Sequence, residues 1–228
     1  MHLGASLWHR NNVIIGFYGM WHGSPTNSAH EVTMDIGLVL SHDALHYHEP
    51  IPDFPMINAR SRDDKLTRST SQRAPALAHG QGFSNRGDET LVWFSTWLTP
   101  SDGIRLATWQ RDRLGFLQPW KGALSQPPCL ISAPISTDGS RVEISVNAEG
   151  LTKSNRLRVS VLDEHFRELP GFSAAACTQP IRSGLRERVT WETHDSVVPN
   201  GRIRIRLDFE GPQVDDLKVY GIYVTSAR

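Results

Sequence analysis

The chain reads as all-β: two propeller-blade-like repeats followed by a β-sandwich. Three observations predict it. Apolar residues alternate at period two in nearly every apolar segment, which marks strands with one or both faces buried. A strand, turn, strand pattern occurs twice in the first 120 residues. Eighteen glycines, 14 prolines and 19 aromatic residues (7 Trp, 8 Phe, 4 Tyr) are spread along 228 residues, a composition suited to short strands and many turns.

The repeat sets the organisation of the first half. IGLVLSHDALHYHEP, from Ile36 to Pro50, aligns with IRLATWQRDRLGFLQP, from Ile104 to Pro119, once the second is allowed one extra residue. Ile36, Leu38, Asp43, Leu45, Tyr47 and Pro50 then match Ile104, Leu106, Asp112, Leu114, Phe116 and Pro119. Upstream of each lies an aromatic strand ending in Trp: VIIGFYGMW, Val13 to Trp21, and ETLVWFSTW, Glu89 to Trp97. Two units result, about residues 10–57 and 77–119 within a partial propeller over 1–119. Asp43 and Asp112 stand where a hairpin reverses, and a carboxylate there holds a turn by accepting backbone amides. Asn58 to Ala76 is polar and reads as a long exposed loop.

Past Pro119 the texture changes. A Pro-punctuated linker enters strands over Arg141 to Gly150, Arg156 to Phe172, Arg188 to Trp191, Arg202 to Gly211 and Leu217 to Val224. Ile203, Ile205, Leu207 and Phe209 share one face while Arg202, Arg204, Arg206 and Asp208 share the other, so the sheet is buried on one side. Residues 120–228 are expected to form the sandwich.

Composition narrows the function classes. Lys plus Arg and Asp plus Glu are equal at 24 each, so no net field steers the chain to nucleic acid or an anionic membrane, and neither is an expected partner. No run of 18 apolar residues exists, and MHLGASLWHRNN lacks the apolar centre of a secretory signal; the compartment stays open. Cys129 and Cys177 fit no metal-ligand spacing, and two buried free thiols are preferred to a disulfide. Phosphate loops, nucleophile elbows and zinc signatures are absent.

The strings MDIGLVLSHDALHYHEPIPDFPMI, HGQGFSNRGDETLVWFSTW and IRLATWQRDRLGFLQP resemble the last two blades of bacterial glycoside hydrolases related to families 32 and 43. LRVSVLDEHFRELPGFSAAACTQPI, VTW and IRIRLDFEG are similar to the β-sandwich that follows the propeller in those proteins. The resemblance implies a carbohydrate-active protein, glycoside hydrolase-related, with carbohydrate as partner. It also implies that the usual catalytic acids come from blades ahead of those matched here. A homo-oligomer that completes the open propeller edge is the expected assembly, and a non-catalytic carbohydrate-binding or assembly module is the alternative.

Glycoside hydrolysis generally uses two carboxyl groups about 5–9.5 Å apart. The candidates are Asp35, expected to open an innermost strand of the first unit and interrupting an apolar run, and Glu89, with Asp88 beside it in the turn-like RGDE. Trp21 and Trp97 are candidate platforms for sugar rings, as are Trp93 and Trp109, most of the four being expected in the core. His79 and Gln81 sit in HGQG, where glycines allow close backbone approach. The His79 position resembles that of the histidine near the axis that supports a metal in family 43, so a structural calcium ion is the one cofactor that the resemblance admits. No metal ligands are assigned, and His42, His46 and His48 are read as outer-face residues.

Overall fold

The computed structural model describes residues 4–23, 32–60, 76–97, 103–120, 126–178 and 182–227. The chain is all-β, built of open antiparallel sheets, and its packing divides it into two units, Met1–Trp109 and Gln110–Arg228. The division falls between Trp109 and Gln110, ahead of the Pro119 boundary read from the repeat. Among the described residues no helix is long and apolar enough to cross a membrane. Most of the polar stretch between Asn58 and Ala76 lies outside the described residues.

The first unit opens with a four-stranded meander of β1 (Ser6–His9), β2 (Ile14–His22), β3 (Thr33–Ser41) and β4 (Pro55–Ile57), each paired with the next. Pairing of β2 with β3 sets Phe17 against Leu38, Gly19 against Ile36 and Trp21 against Met34. The intervening pairs, Tyr18 with Gly37, Met20 with Asp35 and His22 with Thr33, point to the other face. Gly37 is required there: a Cβ would stand 2.5 Å from the Tyr18 ring, which lies across the glycine. Asp35 therefore sits on the third strand of its sheet. The expectation of an innermost strand is corrected, because the short SLWH segment supplies an additional first strand that the repeat did not reveal.

The second sheet comprises β5 (Leu77–Arg86), β6 (Glu89–Thr96) and β7 (Arg105–Gln110). β5 and β6 are joined at Gly87 (φ 56°) and Asp88, so Glu89 emerges from a tight hairpin turn. An irregularity between His79 and Phe83 brings β5 onto Trp93, where a Cβ on Gly80 would lie 2.8 Å from the Trp93 carbonyl oxygen. Aromatic rings join the sheets: Phe17 stacks on Phe83 at 4.6 Å and lies 6.2 Å from Trp109, and Trp8 stacks on Phe83 at 5.4 Å. Phe17 and Ile36 are fully buried, with Met34, Leu77 and Val92 beside them in the core. Trp109 is half-buried, with its ring near that of Phe17.

The second unit packs the sheet of β8 (Cys129–Ile131), β13 (Ile203–Glu210) and β10 (Arg156–Asp163) against that of β11 (Cys177–Thr178), β12 (Gly184–Trp191), β9 (Val142–Glu149) and β14 (Lys218–Ser226). Their inner faces share one core in which Val146, Val159, Val161, Val189, Ile205 and Leu207 are fully buried. The Trp191 indole donates to the Val159 carbonyl across it at 3.0 Å. Both cysteines are free, as read, but Cys129 is exposed while Cys177 is buried. The short edge strand β8 leaves Cys129 open, which corrects the expectation of two buried thiols.

Residues 110–119 fold onto the outer face of β9 and β14. Leu117 and Val219 exchange both backbone hydrogen bonds. The fully buried Asn147 accepts from Arg113 Nε at 3.0 Å and donates to the Arg111 carbonyl at 2.8 Å. Tyr223 donates to Asp112 Oδ2 at 2.6 Å. Asp112 takes up the left-handed backbone at φ 59°.

Two substitutions test this packing. Phe17→Ala removes the ring that holds the two sheets and is expected to cost about 3–5 kcal/mol in urea unfolding. Asn147→Ala leaves the Arg113 and Arg111 groups without their buried partner and is expected to cost about 1–3 kcal/mol in the same measurement.

Candidate functional site

Strand direction gathers a set of polar and aromatic side chains at one end of the first unit. β3 begins there, β2 and β6 end there, and Ala76 ties the sheets together, bridging Met34 on β3 and accepting from the Trp97 amide at 2.8 Å. Trp21 and Trp97 meet with ring centroids 6.3 Å apart at 58°. Trp21 is exposed and Trp97 half-buried, so the tilted pair offers ring surface to solvent.

Asp35, 8% exposed, lies on the opposite face of β3 at the same end. Its Oδ1 accepts from the Ala59 amide at 2.7 Å, and its Oδ2 pairs with His22 Nε2 at 2.9 Å. His22 is two positions along from Met20, the direct partner of Asp35, so the contact is the diagonal one that an antiparallel register allows. The His22 side chain remains 43% exposed. Next to Trp97, Thr96 Oγ1 is buried without a hydrogen-bond partner. A buried hydroxyl in that state marks a polar position with unused capacity.

The first strands of the two sheets are fastened at this end. Ser6 Oγ lies 2.7 Å from His79 Nδ1 and also donates to the Gly80 carbonyl. Burial pushes the His79 imidazole below its ordinary pKa, an effect opposed by a hydrogen bond with the Gly4 backbone. Gln81 lies in β5 beside it.

The structure brings Asp35, His79, Trp21 and Trp97 to one end and leaves Glu89 and Asp88 at the other. Glu89 opens β6 opposite Arg86, whereas Thr96, at the far end of β6, pairs with Leu77. An eight-residue strand spans roughly 23 Å, so Asp35 and Glu89 do not converge on one bond. Three contributors escaped the sequence reading: Ser6, His22 and the Tyr18 to Glu49 hydrogen bond on the Asp35 face. Of these, His22 was findable, since period-two alternation from Met20 puts it on the face of Asp35.

Asp43 holds its turn by accepting from the Leu45 and His46 amides at 2.9 and 2.8 Å. These bonds, with that to the His46 ring, keep its carboxyl far below the usual carboxylate range. His42, His46 and His48 are all exposed. Among the described residues there is no group of three or more His, Cys, Asp or Glu side chains that could hold a metal ion.

No family model matches the chain, and no curated protein does. A solved structure titled "Glycoside hydrolase" aligns with 98% of this chain and 60% of its own, at 10% identity and a TM-score of 0.22. The chain therefore spans less than two thirds of that protein's length.

The burial of His79 has a pH signature. Folding disfavours the imidazolium, so this contribution to stability is complete above the unfolded imidazole's range near 6.5 and is lost as pH falls through it toward the lower folded value. The urea midpoint of the wild type is expected to drop between pH 7 and 5 by more than that of His79→Gln. Equal slopes in the two proteins would remove His79 from the account.

Proposed function

We propose that the chain is a carbohydrate-active protein, related to glycoside hydrolases, that holds a sugar at the end of its first unit where Trp21, Trp97, His22 and Asp35 collect. The observation that carries this reading is the pairing of a solvent-facing tilted tryptophan pair with an oriented carboxylate and imidazole at one end of the same two strands. Pyranose and furanose rings present C–H faces that suit aromatic surface, and their hydroxyls suit fixed donors and acceptors. The residue strings that resemble glycoside hydrolase blades and their sandwich support the same class.

Within this reading Asp35 is an orienting carboxylate. Each of its oxygens accepts one fixed donor, and it fixes the His22 ring toward solvent. Hydrolysis needs a second carboxyl group within about 5–9.5 Å, and Glu89 is too far along β6 to serve. That separation favours a second reading, in which the chain binds carbohydrate without cleaving it by an Asp35 and Glu89 pair. We also propose that a second copy covers the open sheet edges, which light scattering would detect as a dimeric or larger mass.

Binding of neutral oligosaccharides by calorimetry, run beside hydrolysis of a panel of aryl glycosides, tests the proposal. Trp21→Ala and Trp97→Ala are each expected to weaken binding about tenfold, with the fold retained by circular dichroism. Asp35→Asn is expected to weaken it as well, by releasing His22. Unchanged affinity in both tryptophan variants would reject the site. Turnover lost in Asp35→Asn and kept in Glu89→Gln would assign any hydrolysis to Asp35 with a carboxyl other than Glu89.

A further inference from the structure

The sandwich carries an aromatic surface of its own. Phe116 belongs to the segment pinned to β14 by the reciprocal Leu117 and Val219 hydrogen bonds, and it stays 49% exposed. The Tyr220 ring meets it at 5.7 Å and 64°, so the two rings form an angled step. Lys218 Nζ stands 5.0 Å from the Phe116 centroid, and the Arg113 guanidinium lies 4.4 Å over Tyr220.

Polar groups surround the step in fixed positions. Glu149 accepts from the Tyr220 hydroxyl at 2.6 Å and pairs with Arg113 at 3.4 Å, yet its side chain is 49% exposed. Those same contacts hold its carboxyl below the ordinary carboxylate value, the tyrosine hydrogen bond being the larger cause, while burial and Glu149 push the Tyr220 hydroxyl up to about 12. The Gln118 amide donates to the Asp215 carbonyl on the near side. Such a fixed ring carries little ordering penalty for a ligand, since its backbone and both ring neighbours are already in place.

We propose that Phe116 and Tyr220, with Glu149 and Lys218, form a second carbohydrate site on the sandwich that takes a neutral sugar ring. The open part of the Phe116 face meets the C–H face of the sugar. Glu149 accepts from ring hydroxyls and Lys218 donates to them. This surface lies wholly within the second unit and does not depend on the Trp21 and Trp97 end being a site.

The test uses the full chain with xylotriose, arabinotriose and 1-kestose as probes. Two-dimensional NMR is expected to show shifts at Phe116, Leu117, Lys218 and Tyr220 on addition of at least one neutral trimer. Phe116→Ala is expected to weaken that binding about tenfold and Phe116→Trp to keep or strengthen it, the thermal midpoint being unchanged in both. Trp21→Ala serves as the second arm: it leaves the Phe116 shifts intact, so either site can fail without the other. Absence of these shifts with all three neutral trimers, or unchanged binding in Phe116→Ala, would overturn the proposal.

Discussion

Pairing of β2 with β3 in one register decides what each face of the first sheet can do. In that register Phe17, Ile36 and Met34 share a face, and Phe17 can reach Phe83 and Trp109. Tyr18, Met20, His22 and Asp35 share the other. A one-residue slip would turn the apolar set to solvent and bring Asp35 against the aromatic stack, where a carboxylate would lose the His22 and Ala59 donors. The apolar burial that fixes the register thus also fixes the geometry of the Asp35 and His22 pair. Gly37 is part of the same constraint, because the Tyr18 ring occupies the space a side chain would need.

The sandwich solves the burial problem by alternation alone. Every second residue of β13 from Ile203 to Phe209 faces the common core, and the arginines and acids between them pair on the other side, as Arg206 does with Asp208 at 2.8 Å. Asn147 departs from this, as a polar residue fully buried on the outer face. Its amide satisfies Arg113 and Arg111 at once, so the turn after β7 packs as part of the second unit. A half-satisfied amide there would be worse than an apolar residue, which makes the contact specific to this turn.

What could be read from the residues follows from these causes. Period two was most legible in β13, where buried residues alternate with partly exposed ones along the whole strand. The Asp43 turn was legible because an Asp carboxylate has a local job that sequence spacing defines. β1 was not legible, since four residues carry too little alternation to register as a strand. The union of Asp35 with His22 depends on a cross-strand diagonal, and the separation of Asp35 from Glu89 depends on how far β6 runs before it ends. Neither is a property of local sequence. Cys129 likewise looked buried by type and is open because β8 is a three-residue edge strand.

Position along β6 also bears on chemistry. A general acid and its partner must reach one glycosidic oxygen from two sides, so they must share an end of the sheet as well as a face. At the shared end, the groups in place are an imidazole held by a carboxylate, a second imidazole held by a serine, and a tilted pair of indoles. In the proposed reading the indoles hold the ring, and the imidazole and carboxylate lie on the opposite face of the same strands. Among the described residues in this set, Asp35 is the one carboxyl, and the two-carboxylate route uses two. Any cleavage at this end must recruit that group from outside the Asp35 and Glu89 pair.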